Sequence, residues 1–157
     1  IILGLTCIAA QDVKASSTLA LTRLSDVTPE RVEWLWPGRL PVGKIVTLDG
    51  DPGLGKSTLA LNIAATVTRG DDWPDRGASP AGDVLLLSAE DGLADTVRPR
   101  LDAAGADVSR VHAIEGKTLI DPDTGQTYLR PLTLADVYDL GSAMEQTGAR
   151  LLIVDVL

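Results

Sequence analysis

Cysteine and histidine are nearly absent from this chain, with Cys7 and His112 the sole examples of each. One cysteine excludes an internal disulfide, and one histidine beside it excludes a Cys/His zinc cluster. Basic residues are scarce too: 14 Lys and Arg stand against 22 Asp and Glu, giving a net charge of −8 and a pI near 4.5. This balance argues against a basic nucleic-acid-binding surface on this part of the protein. The acids are scattered rather than blocked, as on the solvated surface of an ordinary soluble protein. The apolar stretch Ile1 to Ala10 is about half the length a bilayer-spanning helix needs, and it lacks the basic region of a secretory signal. No membrane association is expected. No internal repeat or low-complexity segment is visible.

What is present is an apolar fraction of 45 per cent over 157 residues, enough for one buried core and a single domain or most of one. Residues 1–33 are expected to be a peripheral lead-in, with a turn signal at Thr28-Pro29, and residues 34–157 the core. Within that core, Gly50-Asp51-Pro52-Gly53-Leu54-Gly55-Lys56-Ser57-Thr58 has the G-x-x-x-x-G-K-[ST] spacing of a phosphate-binding loop. The glycines at 50, 53 and 55 let the backbone turn its N–H groups around phosphate oxygens. Lys56 adds a point charge at the β- and γ-phosphates, Ser57 a hydroxyl for Mg²⁺, and Thr58 lies toward the α-phosphate; the helix N-terminus reinforces all three. The run Ile45-Val46-Thr47-Leu48 ahead of the loop reads as a buried strand, and a helix is predicted from Lys56.

Two further apolar runs end in acids. Ala149-Arg150-Leu151-Leu152-Ile153-Val154-Asp155 reads as a central parallel strand whose tip would carry the metal-side acid, Asp155. Such strands also end in Asp for turn chemistry alone. Val84-Leu85-Leu86-Leu87-Ser88-Ala89-Glu90-Asp91-Gly92 offers Glu90 as a base that holds an attacking water in line with the γ-phosphoryl group. The other reading of this tip is that Glu90 is solvated and Asp91 caps the next helix.

On the phosphate loop, the SAED segment at 88–91 and the LLIVD segment at 151–155, the chain resembles the RecA-like ATPases of the AAA superfamily, especially the RepA-like replicative helicase branch. The resemblance runs from about Trp34, where WLWPGRLPVGK is similar to the family's lead-in to its first strand. Val156 departs from it, because the family often has Pro there. It implies an α/β fold with a three-layer parallel sheet, a catalytic role for Glu90 with Lys56, a metal role for Asp155 with Ser57, and ATP with Mg²⁺ as cofactors. It also implies a homo-oligomeric ring, a hexamer among the sizes, with DNA held through regions outside this stretch; the lack of an export signal and the need for ATP predict a cytoplasmic location. A core of this kind continues past Asp155, and one of its later strands lies between the phosphate-loop strand and the one ending in Asp155. The chain, which starts at Ile1, is therefore expected to be incomplete at its C-terminus. Its isolated form is expected to bind nucleotide without turnover or to be poorly soluble, because a gap in the sheet would expose apolar surface. The resemblance favours a motor in DNA replication; the alternative is a nucleotide-gated regulatory or accessory ATPase with slow turnover.

Elsewhere, Leu59, Ile63 and Val67 with Ala60 and Ala64 suggest an apolar helix stripe ending near Gly70. Trp73, in the Asp/Pro/Gly-rich loop at 70–82, is expected to cover the sheet edge. Leu93, Val97, Leu101 and Ala104 mark a second helix that Pro99 must kink or delay. Arg98 and Arg100 on it read as surface arginines pairing with nearby acids. His112 reads as a satisfied strand residue in a strand over 108–114. A hairpin is predicted over 119–132, and a helix over 134–147 that uses Leu134, Val137, Tyr138 and Met144 as one face behind a Thr133/Asp136 capping box.

Overall fold

The computed structural model describes residues 19–75, 77–88, 91–133 and 136–155. Two compact units divide the chain, Ile1–Arg31 and Val32–Leu157. In the first, the described residues are all exposed and include one 3-10 turn at Leu24–Asp26.

The second unit is mixed α/β. It opens with a small antiparallel pair, β1 (Trp34–Trp36) and β2 (Leu40–Pro41). The phosphate-loop motif leads into helix α1 (Lys56–Arg69), which Gly70 ends in the left-handed conformation, its N–H bonding back to Thr66 and Val67. Strand β3 (Asp83–Ser88) follows, then a π-helical turn at Leu93–Val97 running into α2 (Arg98–Ala103). Strand β4 (Val111–Ile114) precedes a hairpin of β5 (Lys117–Ile120) and β6 (Thr127–Arg130). Helix α3 (Val137–Thr147) and strand β7 (Ala149–Asp155) complete the unit.

The main sheet has three parallel strands in the order β4-β3-β7. Its middle strand is buried as its composition requires: Val84, Leu85 and Leu86 are all core residues, the continuous apolar run of a strand covered on both faces. Side chains alternate along a strand, so Val84 and Leu86 share one face. They cluster with Leu61, Ala64 and Val67 of α1 and with Val97 and Leu101.

Several expectations hold. Helix α1 starts at Lys56 and stops at Gly70. The hairpin forms, its turn held by Asp121, whose carboxylate accepts the backbone N–H groups of Asp123 and Thr124; these two bonds keep Asp121 below the usual carboxylate range. His112 bonds Asp83 through Nε2 at 2.7 Å. Trp73 is buried and stacks on Trp36, with ring centroids 4.4 Å apart, while its indole N–H donates to the Leu35 carbonyl.

Others need correcting. The run Ile45-Val46-Thr47-Leu48 is not a buried strand: it pairs with nothing in the sheet, and Ile45 is 98% exposed. An extended run is buried only where a neighbouring strand takes up its N–H and C=O groups, and no described strand lies beside this one. For the same reason β7, expected to be central, is an edge strand among the described residues. Helix α1 buries Val67 and Ala64 of the expected stripe and packs Ile63 against the core, but Leu59 is exposed, and Leu61, Ala65 and Thr68 are buried with them. In α3 both Val137 and Tyr138 are exposed, and the half-buried residues are Leu140, Ala143, Met144 and Thr147; Tyr138 and Met144 lie well apart around a helix turning about 100° per residue. Leu134 lies outside the described residues. The Thr133/Asp136 box forms in one direction only. Asp136 accepts the N–H and hydroxyl of Thr133, both at 2.8 Å, and the Arg130 guanidinium at 2.8 and 3.0 Å. The Arg130 bonds and those from Thr133 hold its carboxyl far below the usual range, and they fasten the hairpin to the start of α3.

Candidate nucleotide site

Three segments converge on one cleft of about 770 Å³. The first is the phosphate loop. Gly53 and Gly55 both have φ +80°, a left-handed conformation that residues with a Cβ avoid, and Gly55 is the residue from which α1 starts. A helix N-terminus presents unpaired N–H groups and a partial positive charge to whatever lies ahead of it. Pro52, Gly53 and Gly55 line the cleft with Lys56, Ser57 and Thr58. Gly50, Asp51 and Leu54 do not, but the first two touch the site through their carbonyls. Lys56 Nζ donates to Gly50 O at 2.8 Å and to Asp51 O at 3.0 Å, so the loop holds its own lysine across its mouth.

The second segment is the tip of β7. The parallel register sets Asp155 opposite Ser88, and both line the cleft. Sheet hydrogen bonding thus brings Asp155 to the cleft that the phosphate loop also lines, although the two are far apart in sequence. The third segment is the tip of β3 and the helix after it, which add Asp91 and Arg100. Asp91 does not cap a helix. Its carboxylate accepts from Arg100 Nη1 at 2.8 Å, while Arg98 pairs with Asp102 one turn along α2. Arg100 is thus a surface arginine paired with an acid, and it is also a wall of the cleft. The sequence pattern held no signal for that second property, because it depends on the π-helical turn between the two residues. Glu90 lies outside the described residues.

Ile45, Val46, Thr47 and Leu48, with Leu151 to Val154 of β7, also line the cleft. A second hollow of about 370 Å³ lies between Pro37, Gly38, Arg39 and Asp75 and includes no phosphate-loop residue. There Asp75 accepts from Trp36 Nε1 at 2.7 Å and from Arg39 at 2.7 and 3.0 Å. These bonds, the indole foremost, keep its carboxyl below the usual range.

The family model described as an AAA domain matches residues 10–157, nearly the whole chain. The chain belongs to the AAA domain family. The match supports an AAA-type P-loop ATPase, a class that uses a nucleotide, typically with Mg²⁺. No solved structure gives a significant match to this AAA domain. The described residues contain no cluster of three His, Cys, Asp or Glu side chains able to cage a metal. Mg²⁺ does not need one, since it is usually held by one or two protein oxygens together with substrate phosphates and water. Ser57 and Asp155 are two such oxygen donors in one cleft, so the residues fit the ion. Among the described residues no helix is long and apolar enough to cross a membrane.

Proposed function

We propose that this AAA domain is the ATP-hydrolysing core of a RecA-like motor of the RepA-like helicase branch, acting in DNA replication. One observation carries the reading: Lys56 and Ser57 from the phosphate loop and Asp155 from a parallel strand tip line the same cleft. That is the arrangement in which a triphosphate and its metal meet a P-loop.

In this reading the N–H groups at the start of α1 bind phosphate oxygens, and Lys56 leaves the carbonyls of Gly50 and Asp51 to sit against the β- and γ-phosphates. Ser57 and Asp155 hold Mg²⁺, which when bound offsets phosphate charge. Glu90, directly beyond the end of β3, orients the attacking water and accepts its proton. The α/β unit is part of a three-layer sandwich in a homo-oligomeric ring whose neighbouring subunit adds an arginine, and DNA is contacted through regions less acidic than this one. A need for ATP suits the cytoplasm.

Calorimetry of Mg²⁺-ATP binding with the wild type, Lys56→Ala and Glu90→Gln tests the site. Binding should fall at least about tenfold in Lys56→Ala, the loss of one charge-assisted contact, and persist in Glu90→Gln. Equal affinity in wild type and Lys56→Ala would overturn the reading. For the motor, DNA-stimulated turnover should vanish in Glu90→Gln; a slow, DNA-independent rate that survives the substitution would indicate a nucleotide-gated module instead.

A further inference from the structure

Among the described residues two cations line the cleft, Lys56 and Arg100. The family reading employs the first. The second is held by Asp91, 2.8 Å away, in a pair whose side chains are 44% and 35% exposed.

Two features of the chain aim Arg100 at the cleft. Val97 N–H bonds to Gly92 O, an i to i+5 closure, and Thr96 N–H shares the same carbonyl. Such a turn rotates everything downstream relative to an uninterrupted α-helix, and π-turns recur at functional sites. Pro99, next to Arg100, has no N–H to donate and so relaxes the demand for a regular ladder at this point. The result is that Arg100 comes round to Asp91 on the cleft wall, while Arg98 stays on its own helix with Asp102. Asp91 is tied in turn to the end of β3, where Ser88 Oγ donates to its carbonyl at 3.4 Å.

An ion pair this exposed holds weakly. A guanidinium on phosphate oxygens makes parallel, charge-assisted hydrogen bonds that hold better. A triphosphate entering the cleft would therefore outcompete Asp91 for Arg100. We propose that Arg100 is a second cation of the nucleotide site, supplied by the same chain, which leaves Asp91 for the terminal phosphate of a bound nucleoside triphosphate and returns when that phosphate is gone. The proposal rests on the nucleotide reading above and adds the means by which the site distinguishes triphosphate from diphosphate. Asp91 is the resting partner.

The test is the ratio of Mg²⁺-ATP to Mg²⁺-ADP affinity, measured by calorimetry for the wild type, Arg100→Ala, Arg100→Lys and Asp91→Asn. Arg100→Ala should weaken ATP about tenfold more than ADP, the effect of one lost charge-assisted contact. Arg100→Lys should restore part of the ratio, because it keeps the charge and loses the fork. Asp91→Asn removes the competitor and should raise the ratio. Equal weakening of both nucleotides by Arg100→Ala, or none, would mean a structural brace and would overturn the proposal while leaving the nucleotide reading intact. An unchanged or lowered ratio in Asp91→Asn would overturn it as well, and that variant decides the matter if Arg100→Ala does not fold. Absence of ATP binding by the folded wild type would overturn both the proposal and the reading beneath it.

Discussion

Ser88 and Asp155 sit opposite each other as the last pair of the parallel register between β3 and β7, which runs unbroken from Val84 and Leu151. That pairing puts a carboxylate on the lining of the cleft that the phosphate loop enters. Asp155→Ala should reduce ATP affinity about tenfold in the presence of Mg²⁺ and have little effect in its absence, because the side chain is assigned to the metal and not to the phosphates. Parallel titrations with Mg²⁺ and with chelator measure this. An equal loss in both would assign Asp155 to the fold alone.

Trp73 holds the return loop to the β1–β2 pair through its stack on Trp36 and its bond to the Leu35 carbonyl. Trp73→Ala removes a large buried side chain and orphans that carbonyl, at a cost of about 3–5 kcal/mol. Urea unfolding monitored by circular dichroism should show the midpoint falling accordingly. Trp34→Ala, at an exposed position of the same strand, should cost far less.

Gly53 and Gly70 have similar positive φ angles, +80° and +71°, in different surroundings. A Cβ at Gly53 meets nothing within 4 Å, whereas one at Gly70 lies 2.9 Å from the Ala81 Cβ and 3.1 Å from its backbone nitrogen. Gly53→Ala should cost only the left-handed penalty of about 1–2 kcal/mol, and Gly70→Ala distinctly more. Comparing the unfolding midpoints of the two variants checks the difference.

Asp136 connects stability to acidity. Its carboxyl is held far below the ordinary aspartate range, first by Arg130 and then by Thr133. A depressed native value means that the unfolded chain takes up the proton first as pH falls. The stabilisation is therefore complete above about pH 4 and is lost progressively below it, disappearing once the native carboxyl also protonates. Asp75, Asp107 and Asp121 are shifted the same way. In urea titrations between neutral pH and acid, Asp136→Asn should be less stable near neutrality and lose less of its remaining stability on acidification. An equally steep acid loss in both proteins would show that Asp136 is not the group responsible.

Features written in local pattern were legible in the sequence. The start of α1 at Lys56 and its stop at Gly70 follow from the loop glycines and from a left-handed cap, and β7 follows from an unbroken apolar run. Features that depend on what lies across a gap were not. Ile45 to Leu48 has the composition of a buried strand, but composition does not supply the neighbour that would bury it. Apolarity groups Tyr138 with Met144, although the helix turns them apart, and it groups Leu59 with Val67, although Leu59 is exposed. For the candidate site, loop spacing points to Lys56 and Ser57 and a strand ending points to Asp155, and the structure puts all three on the lining of one cleft. Arg100 was legible only as an arginine near acids, because the π-helical turn that brings it to the cleft is a property of backbone hydrogen bonding and leaves no residue signature beyond Pro99.

The one-sided pairing of β7 has a consequence for its amide protons. In a parallel strand successive residues direct their N–H groups to alternate sides, and among the described residues only β3 receives them. Every second amide from Leu151 to Asp155 is therefore locked in the sheet while its neighbours point to the unpaired edge, so deuterium should enter this strand in an odd–even pattern of slow and fast sites. Whatever comes to lie along that edge of β7 will be recorded as the fast half of that pattern becoming slow.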